Sequence, residues 1–192
     1  EQVGIVALAS CEEYLQGIIK KHEFTRPDKE DDRVRHIETL NAQTGPVFLV
    51  GRGTAGAGIA KMISREPEID FVAQDGVRHS SWMISDPSEI ATVESEFKDT
   101  LALYIADGHH RSAAAARVYQ SRKGAGNSAW FLTVIFPYDQ MQILPYNRVL
   151  KTLNGLSPEA LMQKLDAVFI IKESGDAKPT RKHEFGFYLG GK

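Results

Sequence analysis

Residues 101–122 read LALYIADGHHRSAAAARVYQSR, an apolar run followed by a short polar turn and an alanine-rich stretch. The run from 101 to 106 has the length and composition of a buried strand. Gly108 permits a sharp turn, and the residues from about His109 to Arg122 favour a helix. The segment therefore predicts a strand, a tight turn and a helix in direct succession, with the turn at the helix N-terminus.

Further strand candidates lie on both sides of this segment. They are residues 3–9, 18–19, 47–50, 130–136, 141–144 as a hairpin partner of 130–136, and 168–171. Residues 71–74 and 77–84 flank Asp75-Gly76, and a two-residue link of this type predicts a hairpin. We interpret Trp82 and Trp130 as core residues.

Helix signals alternate with these strands. The predicted helices run from Pro27 to Asn41, from Ala55 to Ser64, from Asp86-Pro87 onward, and from Ser157-Pro158 to about Ala167. Proline suits the first helical turn, and Ser or Asp before it suits the cap. Because hairpins and long crossovers are mixed, we expect an α+β fold with a mixed sheet rather than a doubly wound parallel one.

The length of 192 residues is enough for one domain with a substantial core. We expect a single α+β core region over residues 1–192. A subdivision near 137–150 is left open, with 151–192 as a smaller C-terminal α/β segment. The chain starts without Met and ends just after a strand-like run at 185–189, so we expect it to be a fragment of a longer protein.

Composition narrows the class of protein. The net charge of −2, with no long basic run, argues against non-specific nucleic-acid binding but leaves a local basic patch open. One cysteine allows neither an internal disulfide nor a cysteine metal cage. No apolar run approaches the roughly 20 residues of a membrane span, and no signal peptide is visible. We expect a cytoplasmic protein that is not bound to a membrane, with nucleic acid an improbable partner.

The strongest functional signal is the box Asp107-Gly108-His109-His110-Arg111. A helix N-terminus carries free N–H groups and positive dipole charge, so cationic side chains in its first turn are disfavoured by about 0.3–1 kcal/mol each. A bound anion would reverse that cost. We therefore predict that a phosphate or similar anion binds here. Arg111 would bind it through two N–H groups, and a histidine would donate a hydrogen bond to it or transfer a proton.

Two alternatives remain open for the box. Asp107 could cap the helix, hold a histidine in one tautomer or bind a metal ion, Mg²⁺ in particular. The box could equally be an ordinary helix start with a buried histidine. A transition-metal site is less favoured, because adjacent histidines rarely converge on one ion.

A second group of charges lies in residues 20–36. Glu23 follows His22 outside any helical pattern, and a carboxylate beside histidine and cations is typical of a general base. Glu23 is thus our first candidate for the base, and Glu30 the second. Within the helix, the pairs Glu30–Arg33 and Asp32–His36 would give an ordinary solvated face.

Weaker candidates complete the list of site residues. Arg26 and, after a strand candidate, Asn147 and Arg148 could add contacts to phosphate. Residues 51–56 with Asp70 match a dinucleotide fingerprint in spacing. The hairpin that follows disfavours this interpretation, and a glycine-rich surface loop fits better.

Four runs carry a family resemblance: KKHEFTRPDKEDDR at 20–33, NAQTGP at 41–46, YIADGHHR at 104–111 and LPYNR at 144–148. They resemble the prokaryotic family known as domain of unknown function 1015, over nearly the whole chain. The glycine-rich stretch at 51–58 is not part of that pattern.

The box by itself is also similar to that of ParB-like and sulfiredoxin-like proteins, including an archaeal free-serine kinase. The similarity covers about a dozen residues. It implies a ParB-like element in which Asp107 to Arg111 cradle a phosphate while a glutamate acts as base. It does not imply sulfiredoxin chemistry, because the box contains no cysteine.

Together these observations predict a small-molecule phosphotransferase. It would be a nucleotide-dependent kinase, or would run the reverse reaction, on free serine or phosphoserine. Glu23, Glu30 and His110 would be catalytic, and Mg²⁺ and a nucleotide would be needed. The alternatives are a non-catalytic ParB-like nucleotide sensor and, disfavoured by charge, a DNA-associated protein.

Overall fold

The computed structural model describes residues 1–52, 57–98, 100–173, 175 and 178–190. The chain divides into two compact units, Glu1–Met141 and Gln142–Lys192. The elements of the first unit are β1 (Ile5–Ser10), α1 (Cys11–Leu15), β2 (Ile19–Lys20), α2 (Pro27–Leu40), β3 (Val47–Gly51), α3 (Ala57–Met62), β4 (Ile69–Val72), β5 (Arg78–Ser81), α4 (Pro87–Lys98), β6 (Leu103–Asp107), α5 (His109–Ser121) and β7 (Trp130–Pro137). The second unit has one helix within its described residues, α6 (Pro158–Asp166).

Five of the strands of the first unit form a sheet in the order β1-β7-β3-β6-β2. β1 runs antiparallel to β7 and β3 antiparallel to β6, whereas β3 is parallel to β7 and β2 is parallel to β6. The expected α+β fold with a mixed sheet is therefore confirmed. β4 and β5 form a separate hairpin.

The core lies between one face of this sheet and helices α1 and α5. Phe131, Leu49 and Ile105 supply its large side chains and are almost completely buried. From α5 the run Ala113–Ala116 faces inward, and such small side chains let a helix axis lie close to its neighbours. Helix α2 packs on α5 from outside the sheet.

The opposite face of the sheet is open at its β1 edge. Val6 is 70% exposed and Leu8 60%, while Ala9 is buried. The strand predicted at residues 3–9 forms as β1, but it is an edge strand with only one face packed. Trp130, predicted as core, is 45% exposed at the start of β7, and Trp82 is only partly buried.

Two predicted strands do not form. Residues 141–144 cannot pair with β7, because β1 and β3 already occupy both of its edges. Residues 168–171 follow the end of α6, and the described residues of the second unit contain no strand that could pair with them. Phe169 instead contacts Phe185 edge to face, with ring centroids 6.0 Å apart.

Local signals account for the smaller differences. The short helix α1 was missed, although Ser10 caps it by accepting a hydrogen bond from the Glu13 N–H at 3.3 Å. The β4–β5 hairpin is confirmed, but its loop has five residues, 73–77, with Gly76 at φ +81°. An Asp-Gly pair also fits that longer loop.

Three chain segments meet at one end of the sheet. β2 and β6 are parallel, so residues 21–26 and the Gly108 turn leave the sheet at the same end. β3 is antiparallel to β6, so the segment before Val47 enters at that end too. The candidate site lies where these three segments meet.

Gln43 extends the sheet beyond the start of β3. Its amide N–H donates to the Trp130 carbonyl at 2.9 Å, and its amide oxygen accepts from the Leu132 N–H at 2.7 Å. The side chain thus takes the place of a further β3 residue beside β7.

We expect Gln43→Ala to lower the free energy of unfolding by about 1–3 kcal/mol, because two backbone groups of β7 lose their partner. Urea denaturation measures the change. Gln74→Ala, at the exposed hairpin tip, is the matched control and should stay within about 0.5 kcal/mol of wild type. Equal urea midpoints for the two variants would contradict the bridging role.

Candidate functional site

The turn between β6 and α5 sits directly against β3. Gly108 is the N-cap of α5 and adopts φ +97°, a left-handed conformation that favours glycine. A Cβ at this position would lie 3.3 Å from the Cα of Val47. Glycine is thus required here both by the backbone angle and by the close approach of the two segments.

No side chain among the described residues caps α5. The suggestion that Asp107 caps this helix is therefore wrong, because Gly108 occupies the N-cap position. The N–H groups of the first turn remain available to a ligand, together with the positive end of the helix dipole.

The two histidines of the box hold the segment that follows β2. Nε2 of His109 accepts a hydrogen bond from the backbone N–H of His22 at 3.5 Å, and the two rings meet edge to face at 4.4 Å. Nε2 of His110 accepts from the backbone N–H of Arg26 at 3.2 Å. Both imidazoles thus anchor the ends of one short loop.

These bonds fix which ring nitrogen carries the proton. An acceptor Nε2 in a neutral imidazole leaves the hydrogen on Nδ1. In His109 that nitrogen lies 3.7 Å from a carboxylate oxygen of Glu23. In His110 the Nδ1–H is the group left to donate to a ligand.

His109 is 4% exposed, and burial lowers its pKa below the usual value of histidine. The nearby His22 lowers the pKa further, whereas the carboxylates of Glu23 and Asp107 oppose the shift. His109 is consequently neutral at neutral pH, as its role as an acceptor requires.

Arg111 projects toward the segment before β3. Its guanidinium donates to the Pro46 carbonyl at 3.3 Å and lies 3.9 Å from the Asp107 carboxylate. Its side chain is 46% exposed and that of Asp107 78%, so solvent screens this long pair and leaves the arginine free to bind a stronger anion.

These groups surround an open pocket of about 260 Å³. Its lining comprises Glu23, Arg33, Asp107, Gly108, His109, His110 and Arg111. All five residues of the box are brought together, with Glu23 as predicted base candidate among them. Arg33 was not predicted as a site residue. It lies within α2, and only the packing of α2 on α5 brings it to the pocket.

The second base candidate lies elsewhere. Glu30 pairs with Arg117 of α5 at 3.3 Å and is hydrogen-bonded by the Thr25 hydroxyl. Asp31 binds the same arginine at 2.8 Å. Glu30 therefore joins α2 to α5 and does not line the pocket.

The charge pairs expected along α2 differ as well. Glu30–Arg33 and Asp32–His36 are absent from the described ion pairs; Asp32 instead pairs with Arg35 at 2.9 Å. Glu30 pairs with Arg117 instead, and the Arg33 side chain has no ion pair or hydrogen bond within the described part of the chain and lines the pocket.

Arg26 is not among the residues that line the pocket. The Arg26 side chain is 66% exposed beside Asp28, although its backbone N–H binds His110. Asn147 and Arg148 lie in the second unit and are exposed, with Arg148 over the Tyr146 ring at 5.8 Å. Their contribution stays a prediction.

The glycine-rich fingerprint gains no support. Residues 53–56 lie outside the described residues, and Asp70 is bound by Arg78 and by the Ser80 hydroxyl. Arg78 and Ser80 lower the pKa of Asp70 to about 2. The acidic residue needed for a ribose is thus committed within the β4–β5 hairpin.

The described residues contain no group of three or more His, Cys, Asp or Glu side chains that could hold a metal ion. They also form no helix that is long and apolar enough to cross a membrane.

Fold and site define an α+β protein with a pocket at a helix N-terminus, lined by two arginines, two histidines and two carboxylates. The chain belongs to the family described as "Protein of unknown function (DUF1015)", whose model matches residues 1–192. The family predicted from the four sequence runs is confirmed. No curated protein and no solved structure matches the chain, and the similarity to ParB-like proteins stays a prediction.

Gly108→Ala should lower the free energy of unfolding by about 1–3 kcal/mol, since a non-glycine residue is strained at this φ. Its Cβ would also crowd Val47. Gly17→Ala is the control, because Gly17 has φ +75° and nothing within 4 Å of the added Cβ. Urea denaturation should show the larger loss for Gly108→Ala. Equal losses would mean that the approach to β3 is unimportant.

Stability should fall as the pH drops below about 6.5, the usual pKa of histidine. The folded pKa of His109 is lowered, so the unfolded chain binds the proton first between about 6.5 and the folded value. The stabilisation is complete above that window and is lost within it.

The test compares unfolding free energies at pH 7.5 and pH 5 for wild type and His109→Gln. The variant should lose less stability over this interval, because glutamine can accept the His22 N–H without titrating. His79→Gln, on the exposed hairpin, is the control and should follow wild type. A pH response of His109→Gln equal to that of wild type would exclude the assigned role.

Proposed function

We propose that this protein transfers a phosphoryl group between a nucleotide and the hydroxyl of a small molecule, with free serine and phosphoserine as the candidate pair. One observation carries the proposal. Arg33, Arg111 and an uncapped helix N-terminus face the same pocket as the Glu23 carboxylate. The arrangement combines an anion site with a base.

The anion site is supported by two guanidinium groups that have no carboxylate closer than 3.9 Å among the described residues. Arg111 lies in the first turn of α5, where a cation is disfavoured, and its one carboxylate neighbour is 3.9 Å away and largely exposed. Arg33 has no ion pair among the described residues. A phosphoryl group would offer each planar guanidinium two oxygens for a bidentate contact.

Phosphoryl transfer needs little from a protein beyond position and charge. First-turn N–H groups, Arg111 and the Nδ1–H of His110 would hold the phosphoryl oxygens. Glu23 would take the hydroxyl proton as the acceptor oxygen bonds to phosphorus and the bond from phosphorus to the bridging oxygen of the donor breaks. The shortened nucleotide then leaves with that oxygen.

His109 supports Glu23 in this scheme. Its ring lies 3.7 Å from the carboxylate, is neutral and is held by the His22 backbone. A neutral neighbour leaves the carboxylate more basic than an imidazolium would. The buried His109 ring would thus help to position the base candidate.

A divalent ion fits this pocket only with help from the ligand. Asp107 would supply one carboxylate, and Mg²⁺ commonly takes one or two carboxylates and completes its shell with phosphate oxygens and water. The ion would neutralise charge on the phosphoryl oxygens. Removal of Mg²⁺ should therefore weaken nucleotide binding rather than unfold the protein.

A non-catalytic nucleotide sensor is the second candidate, favoured by one observation. Both histidines use one ring nitrogen to hold the backbone of the 22–26 loop. Anchoring of this kind suits a site that reports occupancy through its loop as well as it suits catalysis.

Two variants of the whole chain separate binding from chemistry. Arg111→Ala should weaken binding of ADP or ATP with Mg²⁺ by about tenfold or more in calorimetry, because charge-assisted hydrogen bonds are lost. Glu23→Gln should bind nucleotide normally but lower the rate of phosphoserine formation by about 10²–10⁴. Phosphorus NMR follows the product.

Arg35→Ala is the control for charge, because Arg35 lies on the same helix, pairs with Asp32 and does not line the pocket. Its binding should equal that of wild type. Nucleotide binding that survives Arg111→Ala unchanged would refute the proposed function. Binding without turnover by wild type would favour the sensor.

A further inference from the structure

A second, smaller recess adjoins the open pocket of about 260 Å³. It has a volume of about 30 Å³ and is formed by α2 and the segment that enters β3. Arg33 and Arg111 line both cavities. A ligand that fills the larger pocket therefore reaches the recess without leaving the two guanidinium groups.

The lining of the recess is cationic or neutral throughout. Its lining residues are Arg33, His36, Ile37, Gln43, Thr44, Gly45 and Arg111, with no carboxylate among them. Such a lining disfavours an ammonium group and favours an anion. It thus differs from the larger pocket, where Glu23 and Asp107 add negative charge.

One wall of the recess is rigid. Both ends of the Gln43 amide are bound to the backbone of β7. At Gly45, a Cβ would lie 3.5 Å from Nε of Arg111, so the guanidinium lies over a residue that has no side chain. The recess is thus held by the sheet on one side and by Arg111 on the other.

Size selects the group that fits. A single water needs roughly 10–15 Å³ of such volume. A recess of about 30 Å³ therefore has room for about two water-sized groups, which matches the two oxygens of a carboxylate.

We infer that this recess binds the carboxylate of the substrate, so that the ligand class is a short carboxylic acid phosphorylated on its hydroxyl. The inference rests on the proposed phosphoryl site in the larger pocket. Arg33 and Arg111 would lie between the two anionic groups, and His36 and Thr44 would contact the carboxylate alone. These two residues are specificity determinants that sequence motifs did not mark.

The test uses calorimetry on the whole chain with three probes. Methyl phosphate carries the phosphoryl group alone, phosphoglycolate adds a carboxylate, and 3-phosphooxypropanoate places that carboxylate one carbon further away. At least one of the two acids should bind about tenfold tighter than methyl phosphate, the gain expected from one charge-assisted contact.

His36→Ala and Thr44→Val should each reduce that gain by about threefold or more and leave methyl phosphate binding unchanged. Both residues are exposed, so the core is untouched, and equal melting temperatures verify the fold. Arg35→Ala, which removes a charge from the same helix away from the recess, should retain the full gain.

The outcomes distinguish the two proposals. If wild type does not bind methyl phosphate, the phosphoryl site itself fails. If it binds methyl phosphate but neither acid more tightly, only the carboxylate subsite is overturned. A gain that persists in both His36→Ala and Thr44→Val overturns it as well, because the extra affinity then comes from general charge attraction.

Discussion

The close contact between the Gly108 turn and Val47 holds the candidate site together. It requires a residue without a side chain in a left-handed conformation, and it fixes the start of α5 against the entrance of β3. From this contact, the alanine face of α5 runs across the sheet and forms the core. The same helix start presents both histidines to the 22–26 loop. Core and site thus share one point of attachment.

Charge is divided between architecture and function on the two packed helices α2 and α5. Arg117 takes Glu30 and Asp31, and Arg35 takes Asp32. These pairs engage the carboxylates of Glu30, Asp31 and Asp32 on α2. Arg33 and Arg111 line the pocket without a carboxylate closer than 3.9 Å among the described residues, and a bound anion would give both a charge partner.

Much of this was predictable from the sequence, because the strong signals were local. The strand, turn and helix around Gly108 follow from apolar content, a glycine and an alanine run, and the base candidate Glu23 stood out by lying beside His22 outside a helical pattern. Arg33 could not be found in this way. Its role depends on which partner Glu30 chooses, and that partner lies 87 residues away. Strand 141–144 failed for a similar reason, since occupancy of both β7 edges is a property of the whole sheet.

Strand β2 has only two residues, yet the position of Glu23 depends on its register. Ile19 is buried opposite Leu103 and Lys20 is exposed opposite Tyr104. A slip of one residue would bury a lysine, expose an isoleucine and displace the following loop by about 3.3 Å. The burial of Ile19 thus fixes the register of β2 and, with it, the position of the Glu23 carboxylate four residues further on.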